Sequence, residues 1–221
     1  MKKCFLALVM LICSLGFAQI DKEQLALKVS KADEANTQKL KEYIWKRHST
    51  VTVSGEVKST IINEFSYDEA GKLQMKNVGG ETSVKKKPGI RGKVQEGQIE
   101  DKTEYFQKAL ELSLSYTMMS KGQLLDFFEK ATITERAGVI EVNGENVFVK
   151  GDKLTIYIDA KTNLFINKKF SSLLGKDAID GEIKYAKFAS GINHGSETLI
   201  NLPAQKAVVT AKNQDYSQRV K

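Results

Sequence analysis

Cysteine occurs only as Cys4 and Cys13, both near the start of the chain. The remainder therefore has no disulfide, no thiolate metal site and no cysteine nucleophile, and its stability must come from a packed core. Histidine is almost as scarce. His48 and His194 are the only two, and a histidine metal site would need carboxylate partners that no spacing supplies; both are expected at turns or on the surface. Proline is limited to Pro88 and Pro203, and no Pro/Ser/Gly linker or internal repeat divides the chain, so about 200 residues are expected to form one domain, 19–221. The catalytic signatures are missing as well: there is no G-x-S-x-G elbow, no H-E-x-x-H, no Ser/His/Asp set and no Gly-Lys-Ser/Thr phosphate loop. That argues against a hydrolase or nucleotide enzyme and leaves no catalytic residue, metal ligand or cofactor to name.

Long apolar runs are confined to the N-terminus. Lys2 and Lys3 precede an apolar stretch from Phe5 to Phe17, and Gly16-Phe17-Ala18 is a small-x-small cleavage site. This reads as an export signal, residues 1–18, removed after Ala18; the run is too short, and too closely followed by Asp21, Lys22 and Glu23, for a spanning helix. Ile12 stands before Cys13 where a lipid-attachment site would carry a small residue, which speaks against a lipoprotein anchor. The exported chain is expected in the periplasm. Lys2 and Lys3 supply two charges of the formal +7, leaving +5 after cleavage. An excess this dispersed, in an exported protein, points to anionic envelope lipid and away from nucleic acid.

The chain is organised around Ile99 to Lys130. Phe106, Leu110, Leu114 and Met118 form one helical stripe, and Tyr105, Ala109, Leu112, Tyr116 and Met119 form the next. So wide an apolar face needs a partner that curves around it. Gly122 is expected to break or kink the helix before a shorter amphipathic piece with Leu124, Leu125, Phe127 and Phe128. Ahead of this pair, Val78 to Gly97 reads as a glycine-rich loop carrying Lys85, Lys86, Lys87, Arg91 and Lys93, either a solvated charged loop or a contact for phosphate headgroups or an acidic partner.

Elsewhere the pattern is one helix and many strands. Asp21 to about Lys46 reads as a polar helix with a thin seam of Leu25, Val29, Ala32, Leu40 and Ile44, closed by Trp45. Val51, Val53 and Val57 alternate, a turn near Lys58 leads to Ile61, Phe65 and Tyr67, and Asp68 to Lys72 makes a hairpin into Leu73 and Met75. After the helices come Thr132 to Glu135, Val139 to Val142, a turn at Asn143-Gly144, Val147 to Val149, and the alternation of Leu154, Ile156 and Ile158. Asp159 and Thr162 are read as turn residues binding nearby backbone N–H groups. Leu164 to Phe170 returns, Ser171 to Lys176 is a loop, and Ile179, Ile183 and Tyr185 share a strand face. Leu199 to Leu202 and Val208 to Thr210 complete the strands, with a polar tail from Asn213.

This order resembles the periplasmic lipoprotein carrier superfamily, the LolA/LolB-like outer-membrane lipoprotein-sorting fold. The resemblance is carried by GDKLTIYIDAKTNLFINKKF, Gly151 to Phe170, in which Phe165 and Lys168 alternate with Ile166 and Lys169, and by EIKYAKFASGINHGSETLINLPAQ, Glu182 to Gln205. It implies an α+β fold: a strongly curved antiparallel sheet, an incomplete β-barrel, wrapped around or lidded by the central helix pair, with an N-terminal helix. It also implies a cavity for a lipid or lipoprotein acyl chain and a basic residue that fastens the lid, which the sequence does not place. The cavity candidates are Phe106, Leu110, Leu114, Met118, Met119, Phe127 and Phe128. The alternative is an envelope structural or interaction protein that uses the fold without a ligand, its partner an envelope protein.

Overall fold

The computed structural model describes residues 21–82, 90–188 and 191–219, apart from the side chains of 82 and 90–101. The export signal lies outside the described residues. An N-terminal helix α1 (Lys22–Leu40) precedes β1 (Tyr43–Val53), β2 (Glu56–Tyr67) and β3 (Leu73–Thr82). Helices α2 (Ile90–Thr117) and α3 (Lys121–Lys130) follow, and then β4 (Thr132–Arg136), β5 (Val139–Glu145), β6 (Lys153–Asp159), β7 (Phe165–Leu174), β8 (Asp177–Lys187), β9 (Asn193–Leu202) and β10 (Ala207–Gln218). All strands join one antiparallel sheet in the order β3-β2-β1-β10-β9-β8-β7-β6-β5-β4, open between β3 and β4.

That order dictates where the helices go. The chain leaves the sheet at one edge, β3, and re-enters at the other, β4, so the connection has to cross the whole face. The 28 residues of α2 reach about 42 Å at 1.5 Å per residue. Register shifts in the β1–β10, β1–β2, β2–β3, β6–β7 and β8–β9 ladders bend the strands around it. The expected curved, open α+β architecture is present.

Several boundaries differ from expectation for identifiable reasons. The first helix stops at Leu40, and Ile44 and Trp45 belong to β1, whose inward positions are Trp45, Arg47, Ser49 and Val51. An arginine and a serine in the buried register disguise the strand. The hairpin after it turns at Ser54-Gly55, both with positive φ, ahead of Lys58. Asn143-Gly144 remains inside β5; a Cβ on Gly144 would stand 2.6 Å from the Phe127 ring, so this glycine admits a close-packed phenylalanine instead of making a turn. Val147 to Val149 form a loop whose N–H groups bind Asp152. Strand β7 continues through Leu174 to a turn at Gly175, and β10 runs to Gln218, paired with β1, where a frayed tail was expected. The span read as a loop from Val78 is β3 up to Thr82, and α2 begins at Ile90. The break between α2 and α3 falls at Met118 and Met119, because Ser120 and Gln123 form a capping box that starts α3 with Gly122 in its first turn. The Asp159 turn is as read: Thr162 donates to Asp159 Oδ1 from both its N–H, at 2.7 Å, and its hydroxyl, at 2.8 Å.

The concave face holds the core. Ile140, Val142, Leu154, Ile156, Ile158, Ile179, Ile183, Ile200 and Val209 face Ala109, Tyr116, Met119, Leu124, Phe127 and Phe128 of the helices. Tyr116 stacks on Phe170 with ring centroids 4.1 Å apart, and Phe170 in turn lies over Gly181, where a Cβ would meet it at 2.1 Å. Gly181→Ala is therefore expected to push Phe170 out of its stack and cost about 1 to 3 kcal/mol. A urea midpoint equal to that of the parent would show that the ring has room to move.

Candidate functional site

The concave face is apolar at both ends and polar between them. The larger apolar cluster lies under α2 and α3, and a smaller one gathers Leu40, Trp45, Phe65, Tyr67 and Ile192. The strand registers set Ser49, Ala211, Thr198, Ile183, Lys168, Ile156 and Val142 side by side from β1 to β5, a row that separates the clusters on β1 and β9 and runs into the larger one at Ile183, Ile156 and Val142. Ser49, Thr198 and Lys168 interrupt this row, and all three are buried.

Lys168 is 1% exposed. Its Nζ donates to the carbonyl oxygens of Tyr116, at 3.0 Å, and Thr117, at 3.1 Å, and lies 4.1 Å from the Phe165 ring centroid. The Tyr185 hydroxyl also donates to the Thr117 carbonyl at 3.1 Å. A helix leaves its last carbonyls without intrahelical partners, so a cation there satisfies them and complements the helix dipole. Burial pushes the Lys168 ammonium down to about 8, opposed by the charge of Asp33 on α1. Burial likewise raises Asp33, and Lys168 holds it down. The C-terminal end of α2 is thus gripped by β7 and β8 at the centre of the sheet.

A second tether uses the same helix end. The Tyr116 hydroxyl donates to Asp152 Oδ2 at 2.6 Å, and Asp152 also accepts the N–H groups of Val147, Phe148 and Val149. On the other side, Asn36 of α1 exchanges hydrogen bonds with the backbone of Asn193, while Lys22 donates to the Ala131 carbonyl beyond α3 at 2.6 Å.

The sequence-derived candidates divide. Met119, Phe127 and Phe128 are buried in the larger cluster, Phe106 and Leu110 pack against it half-buried, Leu114 is half-buried and Met118 is 38% exposed. Lys85, Lys86 and Lys87 lie outside the described residues; Arg91 and Lys93 fall within α2, where only the backbone is described. His194 is no turn or surface residue. It sits in β9 edge-on to Trp45, 2.6 Å from the Tyr216 hydroxyl, and burial together with the charge of Arg47 pushes it down to about 3, so the ring is neutral. Sequence reading missed the roles of Lys168, Tyr185, Asp33 and Arg47. The signal was available for one of them: Lys168 shares the strand face of Phe165 and Phe170, a charged residue in an inward register.

No protein-family model and no curated protein matches the chain. Among solved structures it is similar to a DUF1329 family protein from Desulfovibrio piger, with TM-score 0.43, 9% identity and coverage of 90% of this chain and 92% of that one. It is similar also to a LolA superfamily protein from Nitrosomonas europaea, with TM-score 0.38, 8% identity and coverage of 89% and 94%. A third is a domain described as an outer membrane lipoprotein-sorting protein, from Vibrio parahaemolyticus, with TM-score 0.39, 9% identity and coverage of 88% and 92%. The likeness is one of chain path. At such identities function has to be argued from the residues of this chain.

Proposed function

We propose that this chain is a non-enzymatic binding protein of the periplasm, exported by residues 1–18, that holds a lipid or lipoprotein acyl chain between the concave sheet and the helix pair. The observation that carries the reading is the grip on α2: a helix that crosses the sheet is fastened by hydrogen bonds from Lys168 and Tyr185 at its C-terminal carbonyls. Polar bonds of this kind exchange for water when a helix moves away, whereas a fully interdigitated apolar seam resists opening. Lys168 is proposed as the basic fastening residue that the family resemblance implies. Phe106, Leu110 and Leu114, half-buried on α2, supply apolar surface for the chain, with Met118 at its exposed end. Lys85, Lys86, Lys87, Arg91 and Lys93 are proposed as the contact for anionic membrane or an envelope partner.

One observation favours the alternative, an envelope scaffold without a ligand: Met119, Phe127 and Phe128 are already packed. Mass spectrometry of an organic extract of the purified protein separates the two. An acyl lipid near one per chain supports the carrier; no lipid, with no uptake of a fluorescent fatty acid, leaves the scaffold.

Lys168→Met is expected to cost about 1 to 3 kcal/mol by leaving the Tyr116 carbonyl without its donor and the Thr117 carbonyl with the Tyr185 hydroxyl alone. Hydrogen exchange should quicken in α2 and α3 more than in β8 to β10, and uniform protection would show that Lys168 fastens nothing. The pH dependence has a definite sign. With the folded pKa near 8 and the unfolded one at 10.5, the unfolded chain binds more protons between those values, so this group adds stability as pH rises through that window. The increment should be missing in Lys168→Met.

A further inference from the structure

Arg47 is the second cation buried on the concave face. It is 4% exposed and points inward from β1. Its Nη2 donates to the Thr198 hydroxyl at 3.0 Å, while its Nε is buried with no partner. No carboxylate among the described residues forms an ion pair with it, and its ring neighbours Tyr216 and His194 are both neutral. One position further along the same strand face, the Ser49 hydroxyl is also buried with no partner.

A buried guanidinium without an anion is costly, and folded proteins pair such charges almost without exception. Its planar fork fits carboxylate and phosphate oxygens. We infer that Arg47 and Ser49 form an anion site, and that the ligand is an amphiphile whose carboxylate or phosphate head meets Arg47 while its acyl tail lies along α2. The site stands where the polar band meets the apolar cluster, the arrangement that one charged head and one apolar tail require. This rests on the acyl-binding reading and adds to it the chemical class of the ligand.

The test compares three ligands of equal chain length, dodecanoate, dodecyl phosphate and uncharged dodecanol, by displacement of a fluorescent fatty acid from delipidated wild-type protein and from Arg47→Met. The wild type is expected to bind at least one of the anions tenfold or more tighter than dodecanol, and which anion wins identifies the head. Arg47→Met is expected to bind that anion no better than it binds dodecanol. Equal binding of all three by the wild type, a comparison that needs no variant, would overturn the anion site and leave the acyl-binding reading intact. Retention of the preference by the variant would also overturn it. Binding of none would overturn both.

Discussion

Asp152→Ala should be among the most damaging single substitutions in this chain, with an expected loss of about 3 kcal/mol, because it leaves the buried Tyr116 hydroxyl and three part-buried N–H groups without their acceptor, and an unpaired buried donor costs about 1 to 3 kcal/mol. The side chain is wholly buried. It accepts from Val147 N–H at 2.6 Å, Phe148 N–H at 2.9 Å, Val149 N–H at 3.1 Å and the Tyr116 hydroxyl at 2.6 Å. Asp152→Asn should fare little better, since its amide NH2 would face N–H groups. Burial by itself would raise the Asp152 carboxyl, yet the four hydrogen bonds outweigh it and hold the group below 3.8. Its folded pKa is therefore lower than its unfolded one, so its contribution is complete above about pH 3.8 and is lost as pH falls through the folded value. Urea unfolding at neutral pH should show a large difference between parent and Asp152→Ala that narrows in acid. A difference independent of pH would mean that the loop is held by packing and not by the ionised carboxylate.

That loop also shows where sequence reading reaches its limit. Alternation made Leu154, Ile156 and Ile158 legible as one strand face, and the Asp159 turn was legible because an aspartate and a threonine three residues apart bind local backbone in a known way. Val147 to Val149 were misread as a strand because β-branched composition is shared by strands and by loops pinned from outside; the pin is a carboxylate in the following segment. The first part of strand β1, up to Ser49, was lost for a related reason, although Val51 and Val53 at its end were legible. Its inward positions carry Arg47 and Ser49, so the apolar alternation that marks a half-buried strand is broken where the interior is polar. The same broken pattern conceals the candidate site. The helices were found from their apolar residues, whereas the groups that hold them, Lys168, Tyr185 and Asp152, belong to distant segments that only the sheet register brings beneath α2. Gly144 looked like a turn signal and nothing marked Gly181, yet each makes room for a phenylalanine, a relation between remote segments that local pattern does not carry.

A ligand held between the sheet and the helix pair can enter only when α2 releases the sheet. Past residue 18 the chain has no cysteine, so an engineered pair would be the only thiols in protein produced without residues 1–18. A Cβ built on Gly195 of β9 would stand 3.5 Å from Thr117 Cγ2 at the end of α2, a separation that side-chain rotation can convert to a disulfide. The measurement is uptake of a fluorescent fatty acid by the Thr117→Cys, Gly195→Cys double variant, first oxidised and then reduced. The account predicts no uptake while the disulfide is closed and uptake at the parent's level once it is reduced. Equal uptake in both states would contradict it, because the ligand would then bind without any movement of the helix end that Lys168 and Tyr185 hold.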